Sequence, residues 1–228
     1  MRGEVSDFTK AFAGLFAGIF VLIIAYGMLA GIARTESWKN TIKPFDEKLG
    51  PASLMIGASL GSKDSFGIDL LISDATLGGV WFLKRDNVAN CGSGCESFGG
   101  SSDAVVKCKE ECHTKCGKDK GDCIMLVPTR VGNEASWYKA WEWASFWVAN
   151  KPVIFSSGAS FEFDFGGLQR IEVIDNYVRN DELKIYKSGS PTTESFDKTV
   201  QKCLVFTSSD KKVYRMDIKN GKCGDEKS

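Results

Sequence analysis

The stretch AFAGLFAGIFVLIIAYGMLAGIA, from Ala11 to Ala33, holds 23 residues and no charge. As a helix it extends about 35 Å, enough to cross a hydrocarbon core of about 30 Å with some tilt. The apolar part of a cleaved export signal is shorter, about 7–15 residues. The stretch therefore reads as an uncleaved anchor, although Gly31-Ile32-Ala33 carries small residues where a signal peptidase cuts. Ser6 and Asp7 are expected to cap the helix start through their side-chain oxygens, and Tyr26 and Trp38 to sit near a membrane interface.

Working outward, Gly14 and Gly18 form one GxxxG, and Gly27 and Gly31 a second. Small residues four apart allow close approach of two helix backbones. At about 100° per residue, Gly27 lies about 220° round from Gly14, and Ala25 falls beside the first pair. Two small-residue stripes on nearly opposite faces would suit a helix packed between neighbours. The expected partners are thus the bilayer, other membrane helices or further copies of this chain. The alternative is the ordinary abundance of Gly and Ala in membrane helices.

The opening MRGEVSDFTK places a short charged leader ending in glycine ahead of a polar stretch and a long apolar helix. This layout resembles the prepilins of type IV pili, and the resemblance covers about the first 35 residues. It implies a β-rich head after the helix and assembly into a surface filament. Glu4 follows Gly3 directly, whereas the family carries a glutamate at the fifth mature position.

Positive charges flank both ends of the stretch: Arg2 and Lys10 before it; Arg34, Lys39, Lys43 and Lys48 after it. Taken alone, they favour a cytoplasmic C-terminal side. The eight cysteines point the other way. All follow the apolar segment, six of them within residues 91–123, and a set of this kind reads as disulfides in an oxidising compartment. The cysteines are given more weight, because long C-terminal domains translocate largely regardless of nearby charge. The expected location is a single-pass membrane protein with an extracytoplasmic C-terminal domain.

The expected organisation is a transmembrane helix over 1–34, a juxtamembrane helix or stalk over 35–51 broken by Pro44 and Gly50-Pro51, and a β-rich domain over 52–228 with a cysteine-rich insertion at 88–123. Short β-branched and apolar runs bounded by turn residues predict strands at 52–60, 66–73, 79–85, 123–129, 152–157, 160–165, 168–174, 182–187, 202–208 and 212–218. In SFEFDF, strict alternation puts Phe161, Phe163 and Phe165 on one face. The class is α+β, mostly β, and sandwich-like.

One soluble helix is predicted over 133–152, capped by Ser136 and ended by Lys151-Pro152. It holds Trp137, Trp141, Trp143 and Trp147 together with Phe146. A core-facing aromatic stripe is the plainer reading. An aromatic platform for a glycan or a protein partner is the sharper one, with Trp143 and Phe146 fitting the stripe least well.

In the cysteine region, DAVVKCKEECHTKC predicts a helix capped by Asp103 and stopped by Gly117, with Cys108, Cys112 and Cys116 drifting along one face. CGSGC, Cys91 to Cys95, is too glycine-rich for a stable helix and is expected to be a loop. The paired Cx3C units resemble the twin-Cx3C helical hairpins of small intermembrane-space chaperones in spacing alone. That spacing suggests Cys91–Cys112, Cys95–Cys108 and Cys116–Cys123, one of the 15 connectivities that six cysteines allow. Cys203 and Cys223 flank a predicted hairpin and are expected to pair. The rival reading is a metal or redox centre, with Cys91, Cys95, Cys108 and Cys112 as zinc or iron–sulfur ligands. There is no CxxCH, so no haem attachment is signalled, and His113 is expected to be an exposed polar residue.

No catalytic fingerprint is present: no GxSxG, HExxH, Walker A or dinucleotide-binding glycine pattern. The one histidine argues against a multi-imidazole site, and the balance of 29 basic and 29 acidic residues against a nucleic-acid surface. Glu162 and Asp164 are the nearest carboxylate pair and read as the solvated face of an edge strand. No cofactor, metal or catalytic residue is expected. The favoured role is structural or interactive, the alternatives a surface binding module and a cysteine-based metal or redox protein.

Overall fold

The computed structural model describes residues 2–50, 65–73, 76–98, 102–129, 151–174, 181–197, 199–210 and 212–224. They belong to two compact units: residues 2–36 lie in one, and the described residues from 37 to 224 in the other. A single helix, α1 (Arg2–Leu49), runs through the apolar stretch and beyond it. It begins ahead of Ser6 and Asp7, the expected caps, and Pro44 does not break it.

Proline in a helix interior removes one hydrogen bond and costs about 3 kcal/mol. Burial offsets that cost. Trp38, Thr41, Phe45 and Leu49, spaced three or four apart on one stripe, are 2%, 7%, 0% and 1% exposed. The Phe45 ring stacks on Phe155 at 5.6 Å, and Lys48 Nζ donates to the Gly67 carbonyl at 2.5 Å. Residues 37–49 are therefore a core element of the second unit rather than a stalk, and Trp38 is a core side chain rather than an interface anchor.

Among the described residues, the second unit contains ten strands in two sheets, and its class is mostly β with an α+β mix. The smaller sheet is ordered β1 (Ser65–Ser73), β9 (Thr199–Asp210), β10 (Val213–Asn220), β5 (Glu162–Asp164). Its pairs are antiparallel except β10 with β5. The larger is ordered β4 (Val153–Ser156), β3 (Cys123–Pro128), β2 (Leu77–Leu83), β6 (Leu168–Ile174), β7 (Asp181–Lys187), β8 (Thr192–Phe196), antiparallel throughout. The predicted strand at 52–60 lies outside the described residues, and β8 was not expected, since TTESF has no apolar run.

Period-two burial builds the smaller sheet. Ile68, Leu70 and Ile72 are fully buried on β1, on the same sheet face as Leu204 and Phe206 of β9 and Met216 of β10. Phe66 stacks on its partner Phe206 at 4.9 Å, and Phe163 meets Phe206 edge-on at 5.6 Å. In SFEFDF, Phe161, Phe163 and Phe165 are buried, while Glu162 and Asp164 are exposed on the edge strand β5.

Strands β2 and β3 are buried on both faces, so they read as continuous apolar runs. On one face Phe82 packs against Phe165 at 5.4 Å. The opposite face is covered by α2 (Asn90–Phe98), where Gly94 lies over Trp81 and the Met125 methyl, so that an added Cβ would require the Met125 side chain to move. Buried Asp122 ties the sheets at their rim: it accepts from the Arg85 and Phe163 backbone N–H groups at 2.7 and 2.8 Å and from the Arg85 guanidinium at 3.4 Å.

Candidate functional site: the open helix face and the disulfide pair of helices

CGSGC is helical, contrary to its glycine content. The buried residues of α2 are Cys91, Gly94, Cys95 and Phe98, a helical stripe of spacing 3, 1, 3. Two glycines cost this helix about 1 kcal/mol each. Two bridges and the close approach over Trp81 outweigh that cost. α2 lies against α3 (Ser102–Lys115), joined by Cys91–Cys112 and Cys95–Cys108 with Cα separations of 6.0 and 5.7 Å. Lys109 and Glu96 add an ion pair at 2.7 Å.

Beyond α3, Gly117 takes φ of +143°, a conformation open to glycine, and turns the chain. Cys116–Cys123 then fastens the helix end to β3. Cys203–Cys223 closes the open end of the β9–β10 hairpin. These are the four pairs that the spacing suggests. No free cysteine remains, so none is a thiolate available to a metal. His113 is exposed on α3.

The helix face is of a different kind. Eleven large apolar side chains between Phe12 and Ile32 are exposed, from 46% at Ile19 to 71% at Tyr26. Water-exposed patches of this size are rare on soluble monomers and mark contact with lipid or protein. The helix is long and apolar enough to cross a membrane, a property that anchors and signal sequences share.

The two glycine pairs differ in setting. A Cβ placed on Gly14 or Gly18 would meet nothing within 4 Å, and Ala25 is likewise exposed. Gly27 and Gly31 are buried. Only the first pair thus lies on open surface, where two such faces were expected. Trp137, Trp141, Trp143, Phe146 and Trp147 lie outside the described residues.

Lys202 was not singled out from the sequence, yet it is 1% exposed on β9. Its signal is legible: Lys202, Leu204 and Phe206 alternate toward one face in KCLVF. Its ammonium contacts Glu194 of β8 and the Asn220 side-chain oxygen of β10, the latter at 2.6 Å. The lysine therefore joins the two sheets. No family model, curated protein or solved structure matches the chain.

Proposed function

We propose that the chain is a membrane-anchored, extracytoplasmic structural subunit of a membrane complex or pilin-like surface filament, assembled through the first helix. The observation that carries this reading is the open Gly14–Gly18 pair set among exposed Phe12, Leu15, Phe16 and Ile19. Removal of two side chains leaves a shallow groove in a helix otherwise bristling with apolar groups. A second helix backbone fits there, and close packing rather than the hydrophobic effect is what drives helices together in lipid. Four disulfides favour an oxidising side of the membrane for the sandwich-like β domain.

The test uses the full chain in its membrane. Gly14→Leu and Gly18→Leu should abolish cross-linked oligomers while the melting of the β domain stays unchanged. Oligomers that persist in both variants would exclude assembly through this face. A mature chain found by intact mass to start after Ala33 would exclude the anchor itself.

A further inference from the structure

We propose that Lys202 and Asn220 condense into an intramolecular amide bond, with Glu194 carrying the protons. Among the described residues, two charged side chains are fully buried, Asp122 and Lys202. Asp122 is satisfied by backbone N–H groups and a guanidinium. Lys202 faces a carboxylate and a carboxamide instead, a set with the elements of an amide-forming reaction.

The placement follows from the fold. Lys202 and Asn220 are register partners on neighbouring antiparallel strands, so their side chains leave the sheet on the same face. Nζ lies 2.6 Å from Asn220 Oδ1, so the amine and the carboxamide are in direct contact. Glu194 reaches Nζ from the other sheet. Three groups held side by side by two hydrogen-bonded sheets make the condensation intramolecular, an arrangement that raises the effective molarity of the amine.

The step balances without any other reactant. The Lys202 ammonium gives one proton to the Glu194 carboxylate, and the freed lone pair attacks Asn220 Cγ. The new C–N bond forms, Glu194 delivers its proton to Nδ2, the Cγ–Nδ2 bond breaks to release ammonia, and the second proton still on Nζ passes through Glu194 to that ammonia. Overall an ammonium and a primary amide become a secondary amide and an ammonium ion, with no change of oxidation state. Glu194, 37% exposed, is restored as a carboxylate in contact with solvent. A cleft of about 340 Å³, lined by Phe165, Leu168, Ile185 and Met216 among others, adjoins the three groups and lets the ammonia leave. The product is neutral, so the reaction removes a charge that is otherwise held out of water.

The test is peptide mapping of the full-length protein after reduction and alkylation, which takes Cys203–Cys223 out of the reading. Trypsin should release residues 199–211 joined to residues 220–222, lighter than their sum by one ammonia, with no cleavage after Lys202. In Glu194→Gln and in Asn220→Ala the two peptides should separate, while the unreduced variants keep Cys203–Cys223 as a mark of the folded hairpin. Unlinked peptides at full mass from the folded wild-type protein would overturn the proposal. A link that persists in Glu194→Gln would overturn the role given to the carboxylate.

Discussion

Replacing Phe45 with alanine tests whether the end of α1 is core or stalk. The ring is fully buried and stacked on Phe155 at 5.6 Å with 29° between planes. Truncating a buried phenylalanine removes its transfer free energy and leaves a cavity, at a cost of about 3–5 kcal/mol. For a domain of 150–250 residues each kcal/mol moves the midpoint by about 2–4 °C, so Phe45→Ala should melt about 6–20 °C lower. The assay is thermal unfolding of the full chain in detergent, followed by near-ultraviolet circular dichroism. Phe16→Ala is the control, because that ring is 59% exposed on the same helix. A Phe45→Ala midpoint equal to that of Phe16→Ala would refute the assignment of residues 37–49 to the core.

Two other substitutions probe the bridges. A Cβ at Gly67 would lie 2.6 Å from Cys223 Sγ and 3.0 Å from Cys203 Sγ, so Gly67→Ala should cost about 1–3 kcal/mol in urea unfolding, and an unchanged midpoint would show that the hairpin end yields freely. The double change Cys95→Ala and Cys108→Ala opens a loop of sequence separation 13, worth about 3 kcal/mol, and should abolish hydrogen-exchange protection over Asn90–Phe98 while β2 keeps its own. Equal protection in both proteins would mean that α2 does not depend on its bridge.

Much of this architecture is legible in local pattern. Alternation in SFEFDF and KVYRMDI, and the apolar runs of β2 and β3, give most strands to within two residues. The pairing in the cysteine cluster is the one that the twin-Cx3C spacing suggests, out of the 15 connectivities that six cysteines allow. Three features resist such reading because distant contacts decide them. Pro44 signals a break, but the Trp38, Thr41, Phe45 and Leu49 stripe keeps the helix intact. Gly92 and Gly94 signal a loop, but Gly94 packs against Trp81 and Met125 and two bridges hold α2 to α3. In β8, TTESF shows a polar face because the strand is an edge, with Phe196 alone buried. Of the helix face, the presence of two glycine pairs is plain from sequence, whereas which pair is covered depends on the tertiary structure.

The four bridges span 21, 13, 7 and 20 residues, and none crosses from the part of the chain before residue 124 to the part after residue 202. Yet strands from the two parts interleave. Strands up to residue 128 pair with strands from residue 153 onward: β1 with β9, β2 with β6 and β3 with β4. A single peptide-bond cleavage anywhere between Cys123 and Lys202 would therefore yield two halves with no covalent connection, clasped by main-chain ladders, apolar packing and polar contacts alone. Such a nicked molecule would migrate whole under native conditions and fall apart in denaturant without any reductant. The covalent reinforcement of this protein is thus regional: it stiffens each half, and leaves the union of the halves to the sheets.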